Sequence, residues 1–142
     1  MHAEHSVDRL YIAVVEGGLQ APEGTIRSNL LERKDLRMQS VDAHPDAKMA
    51  ITHYRTIATS DPYSMLEVTL ETGRKNQIRA HLSEAGHPVA GDQFYGATTN
   101  PLGRLGLHAK LLGFVHPSTG KRMTFTAPLP KSFRELFRMA QM

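Results

Sequence analysis

The 142 residues contain no cysteine. That excludes a disulfide framework, a zinc ribbon and a thiol nucleophile, and it makes a reducing cytoplasm the simplest compartment. No apolar run is long enough to span a bilayer. The N-terminus, Met1-His2-Ala3-Glu4-His5-Ser6-Val7-Asp8, lacks the apolar core of a secretory signal. No internal repeat is present. Without a Gly-x-Ser-x-Gly motif, and with Ser83 inside a helical pattern, a serine hydrolase has no support. Histidines are plentiful, but His81 and His87 lie six apart across a helix end, and His108 and His116 lie eight apart along a strand. Neither pair has the i, i+4 spacing of a helical zinc site, so no metal is expected.

What is present is enough sequence for one average domain with a real core. Net charge is +3 and the pI about 9.4, mildly favourable to a polyanion and too little to diagnose one. Placement says more. Between Arg74 and Arg122 only Glu84 and Asp92 are acidic, so the C-terminal half can present a positive surface, whereas charges of both signs alternate before Arg74.

Hydrophobic patterning predicts the elements. Residues 9–18 form a β-rich run closed by glycines, too apolar on both faces for a lone edge. Pro22 to Ile26 reads as a turn into a short strand, and Glu32 to Lys48, charged and unpatterned, as a surface loop or arm. Alternation over 49–58 and 64–71, around Ser60-Asp61-Pro62-Tyr63, predicts a β-hairpin. Residues 91–106 read as a loop. Residues 107–116 form a strand or helix-to-strand element, which returns through the turn 116–121 as an antiparallel partner over 122–128. An amphipathic helix over 130–139, with Ser132 as candidate cap, closes the chain. The class is α+β with a largely antiparallel mixed sheet and a few flanking helices.

The most informative stretch is Thr72-Gly73-Arg74-Lys75-Asn76-Gln77-Ile78-Arg79-Ala80-His81-Leu82. After Gly73 the period changes from two to 3.6, and Ile78, Leu82 and Ala85 share a narrow stripe that must pack on the sheet. Arg74, Gln77 and His81 fall on one flank, Lys75 and Arg79 on the other. Gly86 and Pro88 end the helix. Cations in a first helical turn oppose the dipole unless an anion is near, which an RNA phosphate or a carboxylate would supply. A solvated basic helix is the plain alternative. Gly103-Arg104-Leu105-Gly106 matches the GXXG of a KH domain but lacks the flanking helices, so it reads as a turn. Asp92, after Gly91, is either a lone catalytic acid or, more commonly, a turn residue bonding backbone N–H groups.

Six segments in order, 11–17, 23–26, 72–82, 86–96, 107–109 and 114–120, resemble the second half of RluA-type pseudouridine synthases, and the match runs from about Val7 to Phe133. The resemblance implies the pseudouridine synthase catalytic fold. It further implies isomerisation of a uridine in ribosomal or transfer RNA, with the base flipped from its stack, an aspartate doing the chemistry and no cofactor. By the same resemblance, Tyr11 is the tyrosine that packs on the flipped base, and Arg79 is the basic residue that pairs with the catalytic aspartate. Arg74, Lys75, Gln77 and His81 are expected on the substrate side. Two departures stand out. Lys75-Asn76 replaces the family's common Thr-His, and no His-Arg-Leu-Asp, the family's nucleophile motif, occurs in the chain. The expectation is therefore a single unit, 1–142, forming the C-terminal portion of a catalytic domain, inactive by itself, with an open sheet edge that invites pairing with another copy. A non-catalytic RNA-binding module is the alternative.

Overall fold

In the computed structural model, which describes residues 7–115 and 118–138, period-two alternation has produced a seven-stranded sheet. The strands are β1 (Val7–Glu16), β2 (Glu23–Glu32), β3 (Met38–Val41), β4 (Lys48–Ser60), β5 (Tyr63–Leu70), β6 (Leu107–Val115) and β7 (Arg122–Thr126). Their spatial order is β3-β2-β4-β5-β1-β6-β7, and every pairing between them is antiparallel. Two helices flank the sheet, α1 (Gln77–Glu84) and α2 (Lys131–Leu136). The α+β class with an antiparallel sheet is thus observed. No described helix is long and apolar enough to cross a membrane.

Strand β1 is apolar on both faces because both faces are covered. Ala13 and Val15, with Leu66 and Val68 of β5, pack beneath Ile78 and Leu82 of α1. Ile12 and Val14, with Met65, pack on the other face against Leu129 and Phe133 at α2. The alternation of β5 places Leu70 with Leu66 and Val68 on the α1 side, as its sequence requires.

Three expectations need correcting. The arm between Glu32 and Lys48 contains β3, whose Met38 is buried while Gln39 is exposed; four residues amid charges carry too little alternation to read. Strand β2 extends to Glu32 instead of stopping near Ile26. Helix α2 takes Pro130 as its N-cap with no side-chain cap bond, and Ser132 lies inside the helix. His116, Pro117 and Met139, parts of the expected turn and helix end, lie outside the described residues.

Two bulges bend the sheet. One follows Thr56 in β4, and the other interrupts the β1–β6 ladder between Leu10 and Tyr11. Because Leu10 faces Leu111 and Tyr11 faces Ala109, Lys110 is the extra residue. Such a bulge bends the strand that carries it, here β6 beside Tyr11.

Candidate active site

The turn from β5 into α1 is built by one buried amide. Gln77, 2% exposed, donates from Nε2 to the Ile51 carbonyl at 3.0 Å and to Thr52 Oγ1 at 2.9 Å. Its Oε1 accepts from Thr72 Oγ1 at 2.8 Å and from the Arg74 backbone N–H at 3.0 Å. With all four positions filled, the amide fixes both the turn and its attachment to β4. The chain then passes through Asn76 at φ 51°, ψ 29°, a left-handed conformation that asparagine tolerates better than most residues.

The helix therefore begins at Gln77, and Arg74 and Lys75 lie in the preceding turn, not against the dipole of a first helical turn. Arg74 Nε donates to the Met49 carbonyl at 2.9 Å. Lys75 Nζ pairs with Glu32 Oε2 at 2.5 Å, with both side chains largely in solvent. The buried helix face is broader than the expected stripe. It takes in Gln77, Ile78, Ala80, His81 and Leu82, whereas Ala85 is exposed.

His81 lies wholly inside the protein, 0% exposed. Its Nδ1 is 2.8 Å from Thr52 Oγ1 on β4 and its Nε2 is 2.9 Å from Ser28 Oγ on β2. Ser40 of β3 lies 2.7 Å from the Ser28 hydroxyl and also hydrogen-bonds Glu84. Gln77 and His81, expected on the substrate side, have their polar atoms engaged within the protein: those of His81 by β2 and β4, and those of Gln77 by β4, Thr72 and the Arg74 backbone. Burial pushes the His81 pKa down, and Glu84 opposes the shift weakly. A lowered histidine pKa means that the unfolded chain binds the extra proton, so this contribution to stability is present above the unfolded pKa of about 6.5 and is lost as pH falls below it. Urea midpoints measured between neutral and mildly acidic pH should drop faster for the wild type than for His81→Gln, and parallel curves would remove His81 from the account.

Arg79 has a carboxylate of this same chain as a partner, Asp92. Its Nε donates to Asp92 Oδ2 at 2.7 Å and its Nη2 to Oδ1 at 2.9 Å. This is the two-pronged geometry that only arginine provides. Asp92 is 2% exposed at its side chain and Arg79 23%. The hydrogen bond to Asp92 raises the Arg79 pKa further above its already high ordinary value. The remaining prong, Nη1, donates to Asn76 Oδ1 at 3.1 Å, and the guanidinium carbon stands 4.9 Å from the Tyr95 ring centroid.

Asp92 is itself well held. Its backbone N–H donates to the Val89 carbonyl, and its own carbonyl accepts from Tyr95 and Ala97. The preceding Gly91 has φ +82°, and a Cβ there would stand 2.6 Å from the Arg104 carbonyl oxygen, so glycine is required. Ala90 and Gly106 tie this loop to both backbone groups of Val14 on β1.

Tyr11, Leu70, Gly73, Arg74, Asn76 and Arg79 line one cavity of about 190 Å³, together with Arg9, Gln77, Ile78 and Leu107. The structure thus brings Tyr11, Arg79 and Arg74 to one place, leaves Lys75 on the outer side of the turn paired with Glu32, and buries His81. Among the described residues, three arginines and no acidic residue line this cavity. Sequence reasoning missed the pairing with Asp92 and the participation of Arg9 and Asn76. The only signals were the Gly91-Asp92 dipeptide and a cation two positions before Tyr11.

Comparison with known proteins gives this cavity a context. The family described as RNA pseudouridylate synthase matches residues 1–84. A Bacillus subtilis protein named as an uncharacterized RNA pseudouridine synthase, YjbO, is 39% identical over 132 residues, covering 93% of this chain and 46% of its own length. A Chloroflexus aurantiacus protein with the same description is 45% identical, covering 94% of this chain and 42% of its own. The ribosomal large subunit pseudouridine synthase D of Zymomonas mobilis is 36% identical, with 96% and 46% covered. This chain therefore spans less than half the length of these relatives. Among solved structures, human RNA pseudouridylate synthase domain containing 1 superposes with a TM-score of 0.76 at 26% identity, over 89% of this chain and 56% of that one. Matched in family pattern over more than half of its length and in fold over most of it, this chain belongs to the RNA pseudouridylate synthase family.

Proposed function

We propose that this chain supplies the C-terminal portion of a catalytic domain that isomerises uridine to pseudouridine in ribosomal or transfer RNA, in the cytoplasm and without a cofactor. The observation that carries this reading is the convergence of Tyr11 and Arg79 on one cavity lined, among the described residues, by three arginines and no acid. In it the ring of Tyr11 receives the face of a flipped uracil, unstacked from the RNA as such chemistry demands. Arg79, its orientation set by Asp92 and Asn76, presents positive charge to the carboxylate that does the chemistry. Gln77 and His81 act behind the site by holding α1 to β2 and β4.

The chain contains no His-Arg-Leu-Asp, and Asp92 is already engaged and buried. The 142-residue protein alone is therefore expected to release no tritium from RNA labelled at uridine C5. A protein joining this sequence to an upstream His-Arg-Leu-Asp segment should release it. Release by the short chain above a blank would refute the dependence on an outside aspartate, and none from the longer one would refute the enzymatic reading in favour of a binding module.

Arg74 and Lys75 mark the outer rim. Changing both to alanine should weaken RNA binding and make its salt dependence shallower, by about 0.7 in the log–log slope for each single-strand phosphate that is no longer neutralised. The pairing of Lys75 with Glu32 makes Arg74 the larger contributor. An unchanged slope would take both off the RNA-facing surface.

A further inference from the structure

We infer that Arg9 is a phosphate-binding residue of this cavity, taking the backbone phosphate of the nucleotide whose base lies against Tyr11. The inference rests on the reading of the cavity as a uridine site and extends that site to the phosphate.

Arg9 is two positions before Tyr11 on β1, so both side chains leave the same face of the strand, roughly 6.6 Å apart along it. That spacing is comparable to the reach from a nucleobase to its own phosphate. Arg9 is exposed, whereas Tyr11 is half-buried, which puts the cation at the rim and the ring inside. A nucleotide entering base-first leaves its phosphate at that rim, because a phosphate resists desolvation.

The charges agree with this placement. Of the three arginines lining the cavity, Arg79 has Asp92 as its counter-ion, and Arg74 is anchored through Nε to a backbone carbonyl. Arg9 has no carboxylate within ion-pair distance among the described residues. An unopposed guanidinium beside a second, incompletely neutralised one is a binding site for a phosphate. The backbone makes room for it: a side chain at Gly73 would stand 3.2 Å from Arg9 Nη1, so the guanidinium lies directly over the turn that presents Arg74. The carboxylate of an upstream segment is the other anion that could meet Arg9, and the 142-residue chain, which has no such segment, isolates the phosphate.

The test is fluorescence anisotropy of a labelled ten-uridine RNA with the 142-residue protein, across a salt series. Arg9→Ala should weaken binding and reduce the magnitude of the log–log salt slope by about 0.7, the single-strand value for one neutralised phosphate. Arg9→Lys should restore the slope, since charge suffices for a phosphate, and Arg9→Gln should not. Lys131→Ala, on the α2 side of the sheet, should leave the slope unchanged. An Arg9→Ala slope equal to wild type, a lysine variant that behaves like alanine, or an equal loss in Lys131→Ala would each overturn the assignment while leaving the uridine site standing. Wild-type protein that binds no RNA even at low salt would overturn both.

Discussion

Arg79→Ala, made in a catalytically complete protein carrying this sequence, is expected to reduce pseudouridine formation by at least about 100-fold, the usual consequence of removing a preorganised charge from a reacting centre. The same change should also destabilise the fold. It leaves Asp92, 2% exposed, without the partner that neutralised it. Breaking a buried pair costs about 3–5 kcal/mol; because Arg79 is 23% exposed, about 3 kcal/mol is the better figure. Arg79→Lys keeps the charge but cannot reach both carboxylate oxygens at once, so it should recover part of the stability and little of the turnover. Asp92→Asn separates the two roles. It preserves shape and removes the counter-charge, and it should lower turnover through misorientation of Arg79. A double-mutant cycle over Arg79→Ala and Asp92→Ala should give a coupling above about 1 kcal/mol. Turnover within a few-fold of wild type in Arg79→Ala, measured as released tritium, would rule out its role.

The second large effect is expected in the core beneath the same helix. Leu82 is 0% exposed and packs with Val68 and Val89. Leu82→Ala should cost about 3–4 kcal/mol, the transfer term plus the cavity left behind, a large fraction of the roughly 5–15 kcal/mol that holds an ordinary domain together. It should lower the urea midpoint without changing the slope of unfolding free energy against urea. Ala85→Ser, at the exposed C-cap of α1, should change stability by less than about 0.5 kcal/mol. A loss below about 1 kcal/mol in Leu82→Ala would mean that α1 is not anchored through this residue.

How much of this was legible in the sequence depends on whether periodicity carried it. The β4–β5 hairpin, the doubly covered β1 and the position of α1 follow from runs of alternating or continuous apolar residues, and they are observed. What was not legible depends on contacts between segments far apart in sequence. A helical wheel assigns Gln77 and His81 to a polar flank, but it cannot show that β2 and β4 reach beneath that flank with Ser28 and Thr52. Nor can it show that Asp92, carried by an aperiodic loop pinned to Val14, arrives opposite Arg79. The carboxylate expected beside Arg79 was the catalytic aspartate of the family, and the local pattern gave no sign of the second one, Asp92. The sequence also overstated the first turn of α1: Asn76 in the left-handed region starts the helix after Arg74 and Lys75, which removes their conflict with the dipole.

The position of β1 has a consequence for how the chain reaches this structure. It precedes β2 to β7 in sequence, yet its ladders run to β5 and β6, so that Ile12 faces Glu67 on one side and His108 on the other. The β2–β4–β5 meander can form from near neighbours as soon as residue 70 is available. The strand carrying Tyr11 can meet β5 and α1 early, but its second edge waits for β6, past residue 107, and its second apolar face for Leu129 and Phe133. Contacts this distant in sequence slow folding, and the waiting strand is open to wrong partners in the meantime. Refolding should therefore show the meander protected from hydrogen exchange first and the β1–β6 ladder after it, so that the wall of the cavity formed by Leu107 closes late.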